Sequence, residues 1–233
     1  MSSSFVAGVD GCKSGWVVVL LHTRTRATLI RTLRTFTDVW RLPESPSIIA
    51  VDIPIGLLDA AAKGGRDCDR VARAMLGRPR ASSVFSPPVR AALRAKTHAA
   101  ASAANERSSA ARIGISIQAF GICPKIAEVD ALLTPARQRR VFEVHPELSF
   151  YEMANGKPQP HAKKTAAGRS DRLRMLARHF PNMTTRAPGA ATDDVVDAYA
   201  ACWTALRIRR GIALSTSTSA PRDARGLRME IWR

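Results

Sequence analysis

Short apolar runs broken by glycine and proline fill the first quarter of the chain, and they read as strands. Phe5 to Asp10 is a buried strand ending in an acid, and Gly11, Ser14 and Gly15 after it supply turn chemistry. Trp16 to Leu21 is apolar throughout and predicts a second strand, paired with the first as a hairpin. Imperfect alternation over Ala27 to Phe36 predicts a third strand. A short helix near Thr37 to Leu42 follows, with Thr37 or Asp38 as its cap. The apolar run over 48–53 is a further strand, stopped by Pro54 and Gly56. The order to this point is β-β-β-α-β.

Residues 57–136 read as helical, with segments at Arg66 to Leu76, Pro88 to Glu106 and Gln118 to Leu133. The prolines of 78–88 make that stretch a loop. This region is expected to be a helical insertion capping one end of the sheet, so that 1–233 forms a single domain. Val141 to Val144 predicts another strand, and Pro146 suits the first turn of a helix over 146–154. Leu173, Leu176, Ala177 and Phe180 share one face of a helix over 169–180. The helix from Asp193 to about Arg209 is apolar nearly all round and should lie buried on the sheet. After a polar linker at 215–220, Leu227, Met229 and Ile231 alternate with polar neighbours and suggest a short last strand.

Acids interrupt this apolar pattern where they are costly. Asp10 ends the first strand, Asp52 ends the strand at 48–53, Glu143 sits in the strand at 141–144, and Asp194 and Asp197 open the most apolar helix. An unpaired charge in a strand or core interior costs several kcal/mol. Each acid has an ordinary explanation. Asp10 before Gly11 can start a hairpin turn, Asp52 can pair with an arginine, and Asp193 and Asp194 can offset a helix dipole. Taken together they suggest convergence, because neighbouring strand ends of an open sheet share one crevice. Asp194 and Asp197, three apart, lie on one helical face. A hard divalent cation, Mg²⁺ or Mn²⁺, is the natural partner of such a set, and its chemistry is phosphoryl transfer. Pro146 stops the strand that carries Glu143, which leaves His145 and Glu147 in supporting positions.

Charge points the same way. Lys and Arg number 36 against 19 Asp and Glu, for a formal charge of +17, and the pI is near 11.2. That balance favours a polyanionic partner, most simply nucleic acid. Scattered basic residues on a solvated surface are the alternative. Cys12, Cys68, Cys123 and Cys202 are widely separated, with no C-x-x-C pair and no zinc spacing, and are expected to be reduced thiols of a cytoplasmic protein. Met1-Ser-Ser-Ser lacks the charged and apolar segments of a signal peptide. No run approaches membrane-spanning length.

The chain resembles domain-of-unknown-function family 429, described as predicted nucleases of the ribonuclease H-like superfamily. The matching stretches include Gly8-Val-Asp-Gly-Cys-Lys-Ser-Gly-Trp16, Val51-Asp-Ile-Pro-Ile-Gly-Leu57, Arg66-Asp-Cys-Asp69 with Arg73, and Ser82-Ser-Val-Phe85. They continue with Ser116-Ile-Gln118, Pro124-Lys-Ile126, Glu143-Val-His-Pro-Glu-Leu-Ser-Phe150, Lys163-Lys-Thr165 and Asp193-Asp194. Asp194-Val-Val-Asp197-Ala-Tyr-Ala200 is also similar to the closing helix of Holliday-junction resolvases of that superfamily. The resemblance implies an α/β fold with a mixed five-stranded, ribonuclease H-like sheet of order 3-2-1-4-5 and a helical insertion. It implies Asp10 as the strand-one acid, Asp52 as the strand-four acid, and Asp194 with Asp197 on the closing helix. Glu143 lies one strand beyond the usual second acid, so it either competes with Asp52 or joins it on metal.

The expected activity is metal-dependent hydrolysis of a DNA or RNA phosphodiester by Asp10, Asp52, Glu143 and Asp194, with Asp197 as a further metal ligand. Lys13, Arg66, Arg73, Ser83, Gln118, Lys125, His145 and Lys164 are candidate substrate contacts. The cluster in the insertion reads equally as a helical cap whose basic residues pair with Asp67, Asp69, Glu128 or Asp130. Trp16 is expected in the core rather than as a stacking platform. The rival functions are non-catalytic nucleic-acid binding and catalysis on a small nucleotide or phosphorylated substrate.

Overall fold

The computed structural model describes residues 3–217 and 219–233. Strands β1 (Phe5–Cys12), β2 (Gly15–His22), β3 (Thr28–Leu33), β4 (Ile48–Val51) and β5 (Val141–Glu143) form one sheet in the order β3-β2-β1-β4-β5. β1 is antiparallel to β2, which is antiparallel to β3, whereas β1, β4 and β5 run parallel. The sheet is therefore mixed and has the expected order.

Alternation along the strands assigns each side chain to a face. Val6 of β1, Val17, Val19 and Leu21 of β2 and Ala50 of β4 pack with the closing helix α7 (Thr192–Arg209). Val9, Trp16, Val18, Leu20, Ile49 and Val51 face the other way, onto α1 (Phe36–Trp40) and α4 (Ile117–Leu132). Every residue of α7 from Val195 to Leu206 is buried, as its all-round apolar sequence requires. α5 (Pro146–Met153) and α6 (Ala166–Ala177) pack beside it.

Residues 57–136 do more than cap one end of the sheet, which corrects that expectation. Cys123, Ile126 and Val129 of α4, with Leu133 beyond it, share a core with Trp16 and Val51. The segment thus supplies most of the helical layer on one face. Its earlier part holds α2 (Asp67–Arg80) and α3 (His98–Arg107). The single helix expected over Pro88 to Glu106 is instead a 3₁₀ turn at Arg90–Ala92 followed by α3. Thr97 starts α3 afresh, its side chain accepting the Ala100 N–H. α2 breaks at Gly77 (φ 52, ψ −167) and Arg78 (φ −76, ψ 136), just where the proline-bearing loop was expected.

Two other boundaries differ. The cap of α1 is Thr35, reciprocated by Asp38 in a capping box, so the helix begins earlier than Thr37. The last strand is reduced to isolated bridges from Trp232 to Val144 and Ser215. Leu227, Met229 and Ile231 are buried, so the alternation reported burial without a continuous ladder. Among the described residues no helix is long and apolar enough to cross a membrane.

Candidate functional site: a carboxylate crevice

The register Val9↔Val51 joins β1 to β4, so the next residues, Asp10 and Asp52, leave the two strands side by side. The Asp52 N–H donates to the Val9 carbonyl at 3.0 Å and extends this pairing by one residue. By parity both side chains fall on the α7 face, the same face as Gly8 and Ala50. There α7 comes unusually close. A Cβ on Gly8 would stand 2.0 Å from Cys202 N and 2.2 Å from Ala198 O, so only glycine allows this approach. The approach brings Asp197, only 3% exposed, to the two strand-end acids.

These carboxyls feel one another. Burial pushes Asp10 well above the ordinary carboxylate range, and Asp52, Asp197 and Asp194 push it further, while Lys163 opposes them. Asp52 is raised by burial, against His145 and Lys163. Asp197 is pushed up to about 6, chiefly by burial, with Lys163 working against the rise and Asp52 adding to it. Lys163 Nζ donates to Asp197 Oδ2 at 2.7 Å, and these acids together hold its ammonium well above the ordinary lysine range.

Lys163 reaches the acids from the segment between α5 and α6, which is pinned by a buried ion pair. Arg172 of α6 grips both oxygens of Glu147 at 2.6 and 2.8 Å and also donates to the carbonyls of His161 and Gly168. His145 caps α5. Its Nδ1 accepts the Glu147 N–H, so Nε2 carries the proton and donates to the Ser83 carbonyl at 3.2 Å. The acids therefore stand at the floor of a cavity of about 520 Å³. Its walls are the 80–85 loop (Arg80, Ser82, Ser83, Phe85), α4 (Gln118, Ile122, Lys125) and His145.

Several expected site residues lie elsewhere, and parity explains the first. Glu143 pairs in register with Val51, so its side chain leaves the sheet on the face opposite Asp52. There Arg66 holds it at 2.5 and 2.7 Å, and the Ile55 N–H donates to it at 2.6 Å. Arg66 also binds Asp69 and is itself 2% exposed. This corrects the expectation of Glu143 as a metal ligand and of Arg66 as a substrate contact: they are a buried ion-pair cluster. Arg73 is likewise spent on the carbonyls of Val84 and Gly64, where it fixes the loop. Lys13 sits exposed in the β1–β2 turn and Lys164 is exposed beside Lys163, and neither lines the cavity.

Asp194 is intermediate. Its Oδ2 accepts the Ala191 N–H at 2.9 Å at the start of α7, while its charge still reaches Asp10. Ser83, Gln118, Lys125 and His145 do line the cavity. Lys125 lies 4.5 Å above the Trp16 ring and donates to the Gly15 carbonyl. Trp16 is fully buried, with Nε1 donating to Glu128 at 2.9 Å. Lys163, Arg80 and Phe85 were missed as site residues, although the quoted stretches Lys163-Lys-Thr165 and Ser82–Phe85 contained two of them.

Asp10, Asp52 and Asp197 have the hard oxygen chemistry and the surplus negative charge that a divalent cation requires. Among the described residues, however, no three His, Cys, Asp or Glu side chains stand close enough to hold one ion as they are. Fit is therefore met in donor type and charge, and ligation would require side-chain movement. Lys163 now supplies the neutralising charge.

Residues 8–223 match the family model described as protein of unknown function, DUF429, and the chain belongs to that family. No curated protein and no solved structure matches it.

Proposed function

We propose that this chain is a divalent-cation-dependent nuclease of ribonuclease H-like type, hydrolysing phosphodiester bonds of DNA or RNA. The observation that carries the reading is the meeting of Asp10, Asp52 and Asp197, from two strand ends and the closing helix, in one cavity walled by Arg80, Lys125 and Lys163. The sheet order and the formal charge of +17 support it further. Asp10, Asp52 and Asp197 would hold Mg²⁺ or Mn²⁺, with Asp194 adding charge from beside them. The cation supplies positive charge against the developing charge of the phosphoryl oxygens. The chain's own share is positional: the sheet fixes Asp10 and Asp52, Gly8 sets the depth of Asp197, and the basic walls attract the polyanion. The partner is accordingly a nucleic acid and the compartment the cytoplasm, which four free, buried thiols support.

The test is cleavage of labelled single-stranded, duplex and branched DNA and RNA with Mn²⁺. Asp10→Asn should lose about 10²-fold or more of the rate, as for other preorganised electrostatic groups. Full activity in that variant overturns the assignment, and binding without turnover in the wild type favours the non-catalytic reading. One observation favours a second reading. A cavity of about 520 Å³ falls within the range of small-ligand sites, ~300–1,000 Å³, and suits a nucleotide or other phosphorylated small molecule. Thermal stabilisation by mononucleotides but not by oligonucleotides would favour it.

A further inference from the structure

Among the described residues, three lysine and arginine side chains line the crevice, and two are already engaged. Lys163 is paired with Asp197, and Lys125 donates to the Gly15 carbonyl beneath the cavity wall. Arg80 is different. Its Nε is buried without a hydrogen-bond partner, and among the described residues no carboxylate pairs with its guanidinium. Nearby arginines are used structurally: Arg66 on Asp69 and Glu143, Arg73 on two carbonyls, and Arg172 on Glu147. A buried donor left unmatched costs on the order of 1–3 kcal/mol, a cost that an incoming anion would offset.

The backbone delivers Arg80 to this position. Gly77 at φ 52 and Arg78 at ψ 136 break α2 and turn the chain, so that Arg80 joins Ser82, Ser83 and Phe85 along the cavity wall. Ser83 Oγ donates back to the Arg80 carbonyl at 2.8 Å and steadies the turn. Phe85 and Ile122 add apolar surface to the same cavity. A planar fork of donors in a partly apolar cavity suits one phosphate and the nucleoside attached to it.

We propose that Arg80 is the phosphate-binding residue of the crevice, gripping a non-scissile phosphate of the nucleic-acid strand whose scissile phosphate lies at Asp10, Asp52 and Asp197. The inference rests on the nuclease reading and adds to it a substrate of at least two consecutive phosphates. A labelled oligonucleotide is titrated without divalent cation across a salt series, using wild type, Arg80→Gln and Arg80→Lys. Arg80→Gln is expected to bind about tenfold more weakly and to lower the log–log salt slope by about one contact. Arg80→Lys should keep the slope and recover only part of the affinity, because it keeps the charge and loses the fork. A strand with neutral methylphosphonate linkages should bind wild type and Arg80→Gln alike. Since the Arg80 guanidinium has no partner among the described residues, Arg80→Gln should melt no lower than wild type, and the lysine variant serves if it does. Equal affinity and slope in Arg80→Gln and wild type overturn the inference and leave the nuclease reading standing. Failure of the wild type to bind any oligonucleotide overturns the nuclease reading itself.

Discussion

Lys163 closes a 2.7 Å ion pair with Asp197 across a floor that also carries Asp10 and Asp52. One flexible ammonium thus offsets a group of carboxylates drawn from three elements. Removing one partner of a fully buried pair costs roughly 3–5 kcal/mol. Lys163 is 45% exposed, and solvent screening reduces the expected loss to about 1–2 kcal/mol. Lys163→Met should therefore be destabilised by that amount at pH 8. Asp197 already titrates near 6, and without Lys163 its folded-state value rises further. Its carboxyl is then neutral at pH 5, and the loss should shrink there. Urea denaturation at both pH values measures this, and an equal loss at both would make Lys163 a packing residue rather than a counter-charge.

Gly8 sets how deeply α7 seats on β1. A methyl group there would meet backbone atoms of Ala198 and Cys202 within 2.5 Å, and backbone cannot rotate aside. Gly8→Ala should cost about 1–3 kcal/mol or more as overpacking and should shift Asp197 away from Asp10. Gly121 provides the contrast: it is helical, lies on α4, and a Cβ there meets nothing within 4 Å. Gly121→Ala should gain about 0.5–1 kcal/mol from backbone entropy. The two alanine variants are therefore expected to move the melting temperature in opposite directions.

Period-two alternation and turn residues made the sheet legible, and the all-round apolar sequence of α7 announced a buried helix. Asp10 and Asp52 were legible as strand-end acids for the same reason. Glu143 is expected beside Asp52 on metal only when strand position is weighed without parity. In register with Val51, it could not share a face with Asp52. Arg66 and Arg73 read equally as substrate contacts and as cap residues paired with acids such as Asp69, because sequence gives no sign of which guanidiniums are swallowed by carbonyls and buried acids; the structure has Arg66 on Asp69 and Glu143 and Arg73 on carbonyls. Lys163 and Arg80 escaped because loops that fold back over a crevice have no periodicity. Their roles depend on the Arg172–Glu147 pair and on the break at Gly77, both tertiary features.

Glu143 and Asp69 share the Arg66 guanidinium in a buried cluster. Burial, opposed by Arg66, pushes Glu143 up to about 7. Because the folded-state value lies above the unfolded one, the stabilising contribution is complete below about pH 4.5 and is lost as pH rises through 7. A shift of that size corresponds to about 3 kcal/mol at the order-of-magnitude level. Glu143→Gln keeps an acceptor for Arg66 and removes the titration. Its unfolding free energy should vary less between pH 5 and pH 8 than that of the wild type. Identical pH profiles would mean that Glu143 is ionised throughout as an ordinary salt-bridge partner.

Asp10 offers the sharpest separation of stability from function. Burial raises its carboxyl most, and repulsion from Asp52, Asp197 and Asp194 adds to the rise. Its folded-state pKa is raised, so its favourable contribution exists below the ordinary carboxylate pKa and disappears as pH climbs through the raised value. Above that raised value the ionised group is a net cost to the fold. Asp10→Asn removes the charge yet retains Oδ1, which accepts the Gly11 N–H at 2.8 Å. The variant should gain roughly 1–2 kcal/mol at pH 8, typical of relieving a strained functional site, and this gain should fade toward pH 4. Melting curves at the two pH values, taken without divalent cations, measure it. A destabilised Asp10→Asn at pH 8 would mean that the three acids do not repel one another, and the cation-binding role argued for them would lose its electrostatic basis.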